Sequence, residues 1–336
     1  MAAQNNAPLP DGLEIAGYRI VKKIASGGFS IVYLAYDDDG NAVAIKEYLP
    51  SSLALRQPGE LVPAISADNL PVFRIGLKCF FEEGRALARI SHPNVVSVIN
   101  FFRANDTVYM VMAYESGRSL QDHILRRRDK GERPLVSERF IRKMFNQVMN
   151  GLREVHANKL LHLDLKPANI YLRVDGTPIL LDFGAARQTL KTDQPKLYPM
   201  YTPGFAAPEL YAKNGVLGPW TDIYSIGASM FACMVGAPPQ PADQRQINDK
   251  MDEHFRKLES TYSREVLDVI RWSLQVDPLK RPQSVFALQK ALRGPAPIPE
   301  KKGITLLRKV SNKVRGILGS IGRTSPSTVT IQEETR

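Results

Sequence analysis

The sequence predicts an α+β chain in which a small antiparallel sheet precedes a larger helical part. Three observations carry that prediction. Between Tyr18 and Glu47, apolar residues alternate in strand fashion around two turn signals, Ser26-Gly27-Gly28-Phe29-Ser30 and the Asp39-Gly40 pair. Two more strand-like runs follow, Val95 to Phe102 and Thr107 to Tyr114. From Ser119 onward the period lengthens to that of helices, over 119–128, 137–157, 221–235 and 263–275.

Taken in order, residues 1–16 are polar and read as a flexible lead. Tyr18 to Ile24, Ile31 to Tyr36 and Ala42 to Glu47 form a meander. Residues 49–76 contain Pro50, Pro58, Pro63 and Pro71, and read as an insertion with short strands at best. Its length marks either a regulatory surface or a tolerated loop. Residues 77–90 have helical periodicity. Pro295, Pro297 and Pro299 mark a linker over 294–300, and the Ser/Thr-rich residues 324–336 read as a disordered tail.

A chain of 336 residues is long enough for about two domains and a sizeable core. Its N-terminus has neither a charged nor an apolar leader region, and no run of eighteen apolar residues could span a bilayer. Cys79 and Cys233 lie far apart without metal-ligand spacing, so both read as reduced, buried thiols in a cytoplasmic protein.

The chemistry concentrates in residues 162–184, HLDLKPANIYLRVDGTPILLDFG. His162, Asp164, Lys166 and Asn169 crowd together, and Asp182 follows an apolar run, just before Phe183-Gly184. A candidate base, a cation and two hard oxygen ligands at these spacings fit a nucleotide triphosphate. A second lysine, Lys46, sits inside the apolar run Val43-Ala44-Ile45, where its burial demands a partner. Gly27 and Gly28 lie between two strands, and a backbone without side chains can approach phosphate closely.

The H-x-D-x-K-P-x-N and D-F-G stretches, with the VAIK strand, resemble the protein kinase family, in its bacterial eukaryotic-type (Hanks-type) Ser/Thr branch. The resemblance covers 17–293. It implies a two-lobed protein-kinase-like fold, with an N-lobe over 17–114 and a C-lobe over 115–293. It implies transfer of the γ-phosphoryl group of ATP to protein hydroxyls in signalling, with Mg2+, or Mn2+ as the alternative metal. Carried over residue by residue, Asp164 is the base and Lys166 steadies the phosphoryl group. Lys46 meets the phosphates and pairs with Glu83 (Glu82 being the other choice), and Asn169 and Asp182 hold the metal. Ala25, Gly27, Gly28, Val32, Ala44, Met112, Ala113, Glu115 and Tyr171 line the nucleotide site, with Met112 as its gate. Thr202, in YTPGFAAPE, braces base and acceptor. Asp222 anchors the catalytic loop, and Arg281 pairs with Glu209. His162 reads as structural.

The chain departs from the family pattern at four places. Ala25 and Ser30 replace two glycines, and Tyr171 replaces the leucine beneath the adenine. Leu163 replaces the arginine that elsewhere meets an activation-loop phosphate. Leucine cannot make that pair, so activity without phosphorylation at Thr189, Thr192, Tyr198 or Tyr201 is expected. The alternatives are a pseudokinase scaffold and a small-molecule phosphotransferase on the same fold.

Of the formal net charge of +11, seven bases and no acid lie in residues 301–323. There Leu307, Val310, Val314, Ile317 and Ile321 recur at helical spacing. Reversible contact with an anionic membrane surface, docking on the body or on a partner, and a disordered basic tail are all open for it. Nucleic acid is not expected, since no aromatic residue interleaves the charges.

Overall fold

The computed structural model describes residues 6–183, 201–212 and 214–294. The chain divides after Gly294. The linker beyond that residue, the basic segment 301–323, the 324–336 tail, and Thr189, Thr192 and Tyr198 all lie outside the described residues.

The first lobe is a six-stranded sheet in the order β1-β2-β3-β4-β8-β7, every neighbouring pair antiparallel. Its strands are β1 (Glu14–Ile15), β2 (Tyr18–Ser26), β3 (Ser30–Tyr36), β4 (Ala42–Tyr48), β7 (Val98–Ala104) and β8 (Thr107–Ala113). Between β4 and the first helix, β5 (Ala54–Leu55) and β6 (Ala64–Ile65) make a two-stranded ribbon. Helix α1 (Leu70–Leu87) packs on the sheet through Phe73 and Phe80, while Leu87, at its end, joins the core of the helical lobe. Gly84 permits that approach, because a Cβ there would collide with the Phe101 ring.

The second lobe holds α2 (Leu120–Asp129), α3 (Glu138–Ala157), α4 (Pro219–Val235), α5 (Ala242–Ile247), α6 (Met251–Leu258), α7 (Arg264–Ser273) and α8 (Val285–Arg293). A small sheet of β9 (Gly117–Ser119), β10 (Ile170–Arg173) and β11 (Pro178–Leu180) lies beside them, in the order β11-β10-β9. Helix α3 starts at Ser137, whose side chain accepts from the Phe140 amide, and it buries Ile141, Phe145, Val148, Leu152 and Val155 along one face. Helix α4 is buried on nearly every side, which its continuously apolar sequence requires. Pro219 begins it, and Gly236, at φ +82°, ends it. Among the described residues, no helix is long and apolar enough to cross a membrane.

Four expectations need correction. Residues 6–16 are packed, not flexible: Leu9 is 1% exposed, Asn6 and Ala7 bond to the ribbon segment, and Glu14–Ile15 add a strand. The first helix begins at Leu70, seven residues earlier than expected, because Pro71 sits in its first turn, where a missing N–H costs nothing. It also ends at Leu87, short of Ile90. Cys79 is exposed on that helix, while Cys233 is buried in α4.

Candidate active site

The loop 161–169 is shaped by a carboxylate beneath it. Asp222, fully buried in α4, accepts from the backbone amides of His162 at 2.9 Å and Leu163 at 2.8 Å, and lies 2.7 Å from His156 Nε2. Burial raises its carboxyl pKa, but His156 and these amides outweigh that and hold it below the ordinary carboxylate value. The two amide bonds hold Leu163 at φ +62°, a region unfavourable to a bulky side chain. That bend presents the next residue, Asp164, to the cleft.

Asp164 sits in a closed ring of polar contacts. Thr202 Oγ1 donates to Asp164 Oδ1 at 2.9 Å, while Lys166 Nζ donates to Asp164 Oδ2 at 2.8 Å and to Thr202 Oγ1 at 2.7 Å. Asn169 Nδ2 donates to the Asp164 carbonyl at 2.8 Å and to Oδ2 at 3.1 Å. A short 3₁₀ turn, Pro167–Asn169, brings Asn169 back over Asp164. His162 is fully buried. Its Nε2 lies 3.1 Å from the Leu181 carbonyl, and its ring packs 4.4 Å from Phe183. Burial holds the imidazole below its ordinary pKa, against the pull of Asp222 and Asp164.

Lys46 crosses between the lobes to Asp182. Its Nζ lies 2.6 Å from Asp182 Oδ1, and Asp182 takes φ +52° to meet it. Lys46 holds the Asp182 carboxyl below its usual range. Burial would lower the Lys46 ammonium, but Asp182 and then Glu83 outweigh it and raise the pKa. The expected Lys46–Glu83 ion pair is therefore corrected: Lys46 is bridged to Asp182, and Glu83 only faces the pair. Burial pushes the Glu83 carboxyl up to about 8, against the pull of Lys46. Glu82, the other choice, points outward to Lys78 at 4.0 Å.

The remaining residues expected at a nucleotide site lie on β2, β3, β4, β8 and β10, in the turn between β2 and β3, and just after β8. Ala25 pairs with Val32 across β2 and β3, Val32 with Lys46, and Ala44 with Met112 across β4 and β8. A Cβ on Gly27 would meet nothing within 4 Å. Packing does not require glycine there, and its absence of side chain leaves the turn open to a ligand's close approach. Ala113 ends β8, and its amide donates to the Ser97 carbonyl at 2.9 Å. Glu115 follows, locked by a bidentate pair with Arg173 at 2.6 and 2.8 Å. Tyr171 lies half-buried in β10, and burial raises its phenol pKa.

A metal would find hard oxygens here. Among the described residues no group of three or more His, Cys, Asp or Glu side chains forms a metal cage. Asp182 is half-exposed and already holds a cation's charge at 2.6 Å, and Asn169 spends its amide hydrogens on Asp164, leaving its carbonyl oxygen as a ligand. Two such oxygens fit Mg2+, which takes one or two protein ligands alongside substrate phosphates and water.

The segment 201–211 is held by apolar packing and one buried ion pair. Leu163 clusters with Leu161, Ala206 and Leu210, with Tyr201, Tyr211 and Leu217 against them. Arg281 closes two bonds on Glu209, at 2.8 and 2.9 Å, and both side chains are buried. Thr221 Oγ1 adds a third at 2.8 Å. Sequence reasoning singles out every residue of the Asp164 ring. It misses Arg173 and the Leu163 cluster, which no local motif signals.

These features agree with what the chain is similar to. The family model described as "protein kinase domain" matches residues 18–292, and the chain belongs to the protein kinase family. The solved apo form of PpkA-294 shares 33% identity at a TM-score of 0.73, over 85% of this chain and 99% of that one. The Mycobacterium tuberculosis PknI kinase domain has the same fold, at 22% identity and a TM-score of 0.58 over 85% and 99% of the two chains. Human serine/threonine-protein kinase Nek5 is 30% identical over 79% of this chain and 35% of its own length. The chain thus spans about a third of that relative.

Proposed function

We propose that the protein is an ATP- and Mg2+-dependent Ser/Thr protein kinase that transfers a γ-phosphoryl group to hydroxyls of other proteins. The observation that carries this reading is the Asp164–Lys166–Thr202 ring with Asn169 folded over it. Asp164 accepts the acceptor hydroxyl's proton, or orients it, and Thr202 fixes the carboxylate's rotamer. Lys166, already 2.8 Å from that carboxylate, is the cation nearest the transferring group. Lys46 supplies a second cation toward the α- and β-phosphates. Asn169 and Asp182 would hold Mg2+, which when bound neutralises charge on the phosphate oxygens. Positioning and charge neutralisation are what a loose phosphoryl-transfer transition state needs.

A protein acceptor is favoured over a small molecule. The 201–211 segment, pinned by Glu209–Arg281 and the Leu163 cluster, is a rigid platform beside Asp164. Since Leu163 fills an apolar cluster where a phosphate-binding arginine would lie, the same reading makes turnover independent of activation-loop phosphorylation. It assigns the enzyme to the cytoplasm, with residues 301–323 giving reversible membrane or partner contact.

The test is incubation of the full chain with labelled ATP, Mg2+ and a generic basic protein. Label on the acceptor is expected. Nucleotide binding without label transfer would identify a pseudokinase, and turnover only with small acceptors would identify a small-molecule phosphotransferase.

A further inference from the structure

The segment between Lys46 and α1 has no part in the site described above, yet it touches the glycine turn directly. Beyond Tyr48 the chain continues alongside that turn. The Leu49 amide donates to the Phe29 carbonyl at 2.8 Å. Ser51 donates to the Gly28 carbonyl twice, from its amide at 2.9 Å and from its hydroxyl at 3.3 Å. Gly28 belongs to the turn read as the phosphate cradle.

Farther along, at Arg56, the segment is fixed on the reverse side of the Lys46 strand. Glu47 is fully buried and Arg56 is 1% exposed. They form a bidentate pair at 2.6 and 2.7 Å, and Tyr33 and Tyr109 each donate to Glu47 at 2.7 Å. Arg56 Nε reaches the Ala7 carbonyl at 2.8 Å. Asn6 accepts from the Arg56 amide at 2.6 Å and donates to the carbonyls of Leu49 and Ala54. A buried ion pair this fully hydrogen-bonded is rigid, because moving either partner strands a charge in an apolar setting. The glycine turn, the Lys46 strand, the insertion and residues 6–9 are therefore tied into one unit.

We infer that the 49–69 insertion, anchored by Arg56 on Glu47, is a brace that positions the glycine turn for nucleotide phosphates. Arg56 and Ser51 are positioning residues acting through the Gly28 backbone. The inference rests on the reading of that turn as the phosphate cradle. Rigidity there lowers the ordering cost of nucleotide binding, so loosening the brace weakens the nucleotide and leaves the acceptor untouched.

Ser51→Pro is the discriminating variant. The Leu53 amide bonds the Pro50 carbonyl, which puts Ser51 second in a turn, where proline fits, so both donors to Gly28 go while the turn stays. In the full chain, Ser51→Pro should weaken binding of a fluorescent ATP analogue about threefold to tenfold, because the cost of ordering the turn then falls on the binding step. The KM for ATP should rise with it, the acceptor KM should stay within about twofold, and amides 27–30 should lose hydrogen-exchange protection. Arg56→Ala should act in the same direction, with a lower Tm. Unchanged nucleotide affinity and unchanged exchange at 27–30 in folded Ser51→Pro would overturn the brace. So would a parallel rise of both KM values, which marks general loosening. If Ser51→Pro does not fold, Ser51→Ala and removal of residues 1–9 are read by the same exchange at 27–30, and no change in either overturns the brace. A wild-type chain that bound no nucleotide would overturn the kinase reading instead, with the brace still decided by exchange at 27–30.

Discussion

Thr202 and Asp164 are joined by a 2.9 Å hydrogen bond, and Lys166 closes the ring by donating to both. The 201–211 segment and the loop that carries Asp164 are thereby one hydrogen-bonded unit. Thr202→Ala removes a bond to a charged group, worth about 1.5–3 kcal/mol. A kcat loss of roughly tenfold to a hundredfold is expected, with nucleotide affinity unchanged and Thr202→Ser largely restoring turnover. Steady-state kinetics of the three proteins check this.

Leu163 packs against Leu161, Ala206 and Leu210, and the proposed reading has that packing take the place of an arginine's charge. Phosphatase-treated protein, or a Thr189→Ala/Thr192→Ala double variant, should keep turnover within about tenfold of the untreated enzyme, a shift under ~1.4 kcal/mol. Leu163→Ala empties a buried site in the cluster with Leu161, Ala206 and Leu210. It should cost about 2–5 kcal/mol of stability in denaturant titrations. Full loss of activity on dephosphorylation would contradict the assignment.

The Arg281–Glu209 pair is buried on both sides. Arg281→Ala strands the Glu209 carboxylate in the core, at an expected cost of about 3–5 kcal/mol. Chemical denaturation should show a lower midpoint at an unchanged slope.

Glu83 predicts a pH dependence. Its carboxyl titrates at about 8 in the folded protein, against 4.5 for an ordinary glutamate. Between those values the unfolded chain has released a proton that the folded chain still holds, so this group makes stability fall as pH rises from about 4.5 to about 8. Glu83→Gln should remove that decline. Thermal denaturation of both proteins across this window checks it, and parallel curves would count against it.

The sequence made the Asp164 ring legible because its members crowd into one short stretch and a motif far downstream. The helices of the second lobe were legible too, since each shows one long periodic face. The 6–16 lead and the insertion were not. Arg56 lies in a mixed, proline-flanked stretch without a clear period, and Glu47 follows the strand's lysine as an ordinary alternate residue. Only the tertiary meeting of Arg56, Glu47, Tyr33 and Tyr109 buries both charges. Likewise, the partner of Lys46 depends on how the lobes close, which spacing along the chain does not record. Pro71 looked like a breaker because the start of a helix and its interior treat proline in opposite ways.

In the proposed function, Asp164 drives phosphoryl transfer to a protein hydroxyl. The most direct measurement compares wild type and Asp164→Asn with labelled ATP, Mg2+ and a protein acceptor, alongside nucleotide binding by both. Asp164→Asn should lose label transfer by a factor of about a hundred or more, with nucleotide affinity within about twofold and Tm little changed. Equal label transfer by the two proteins, or none by the wild type, would contradict it.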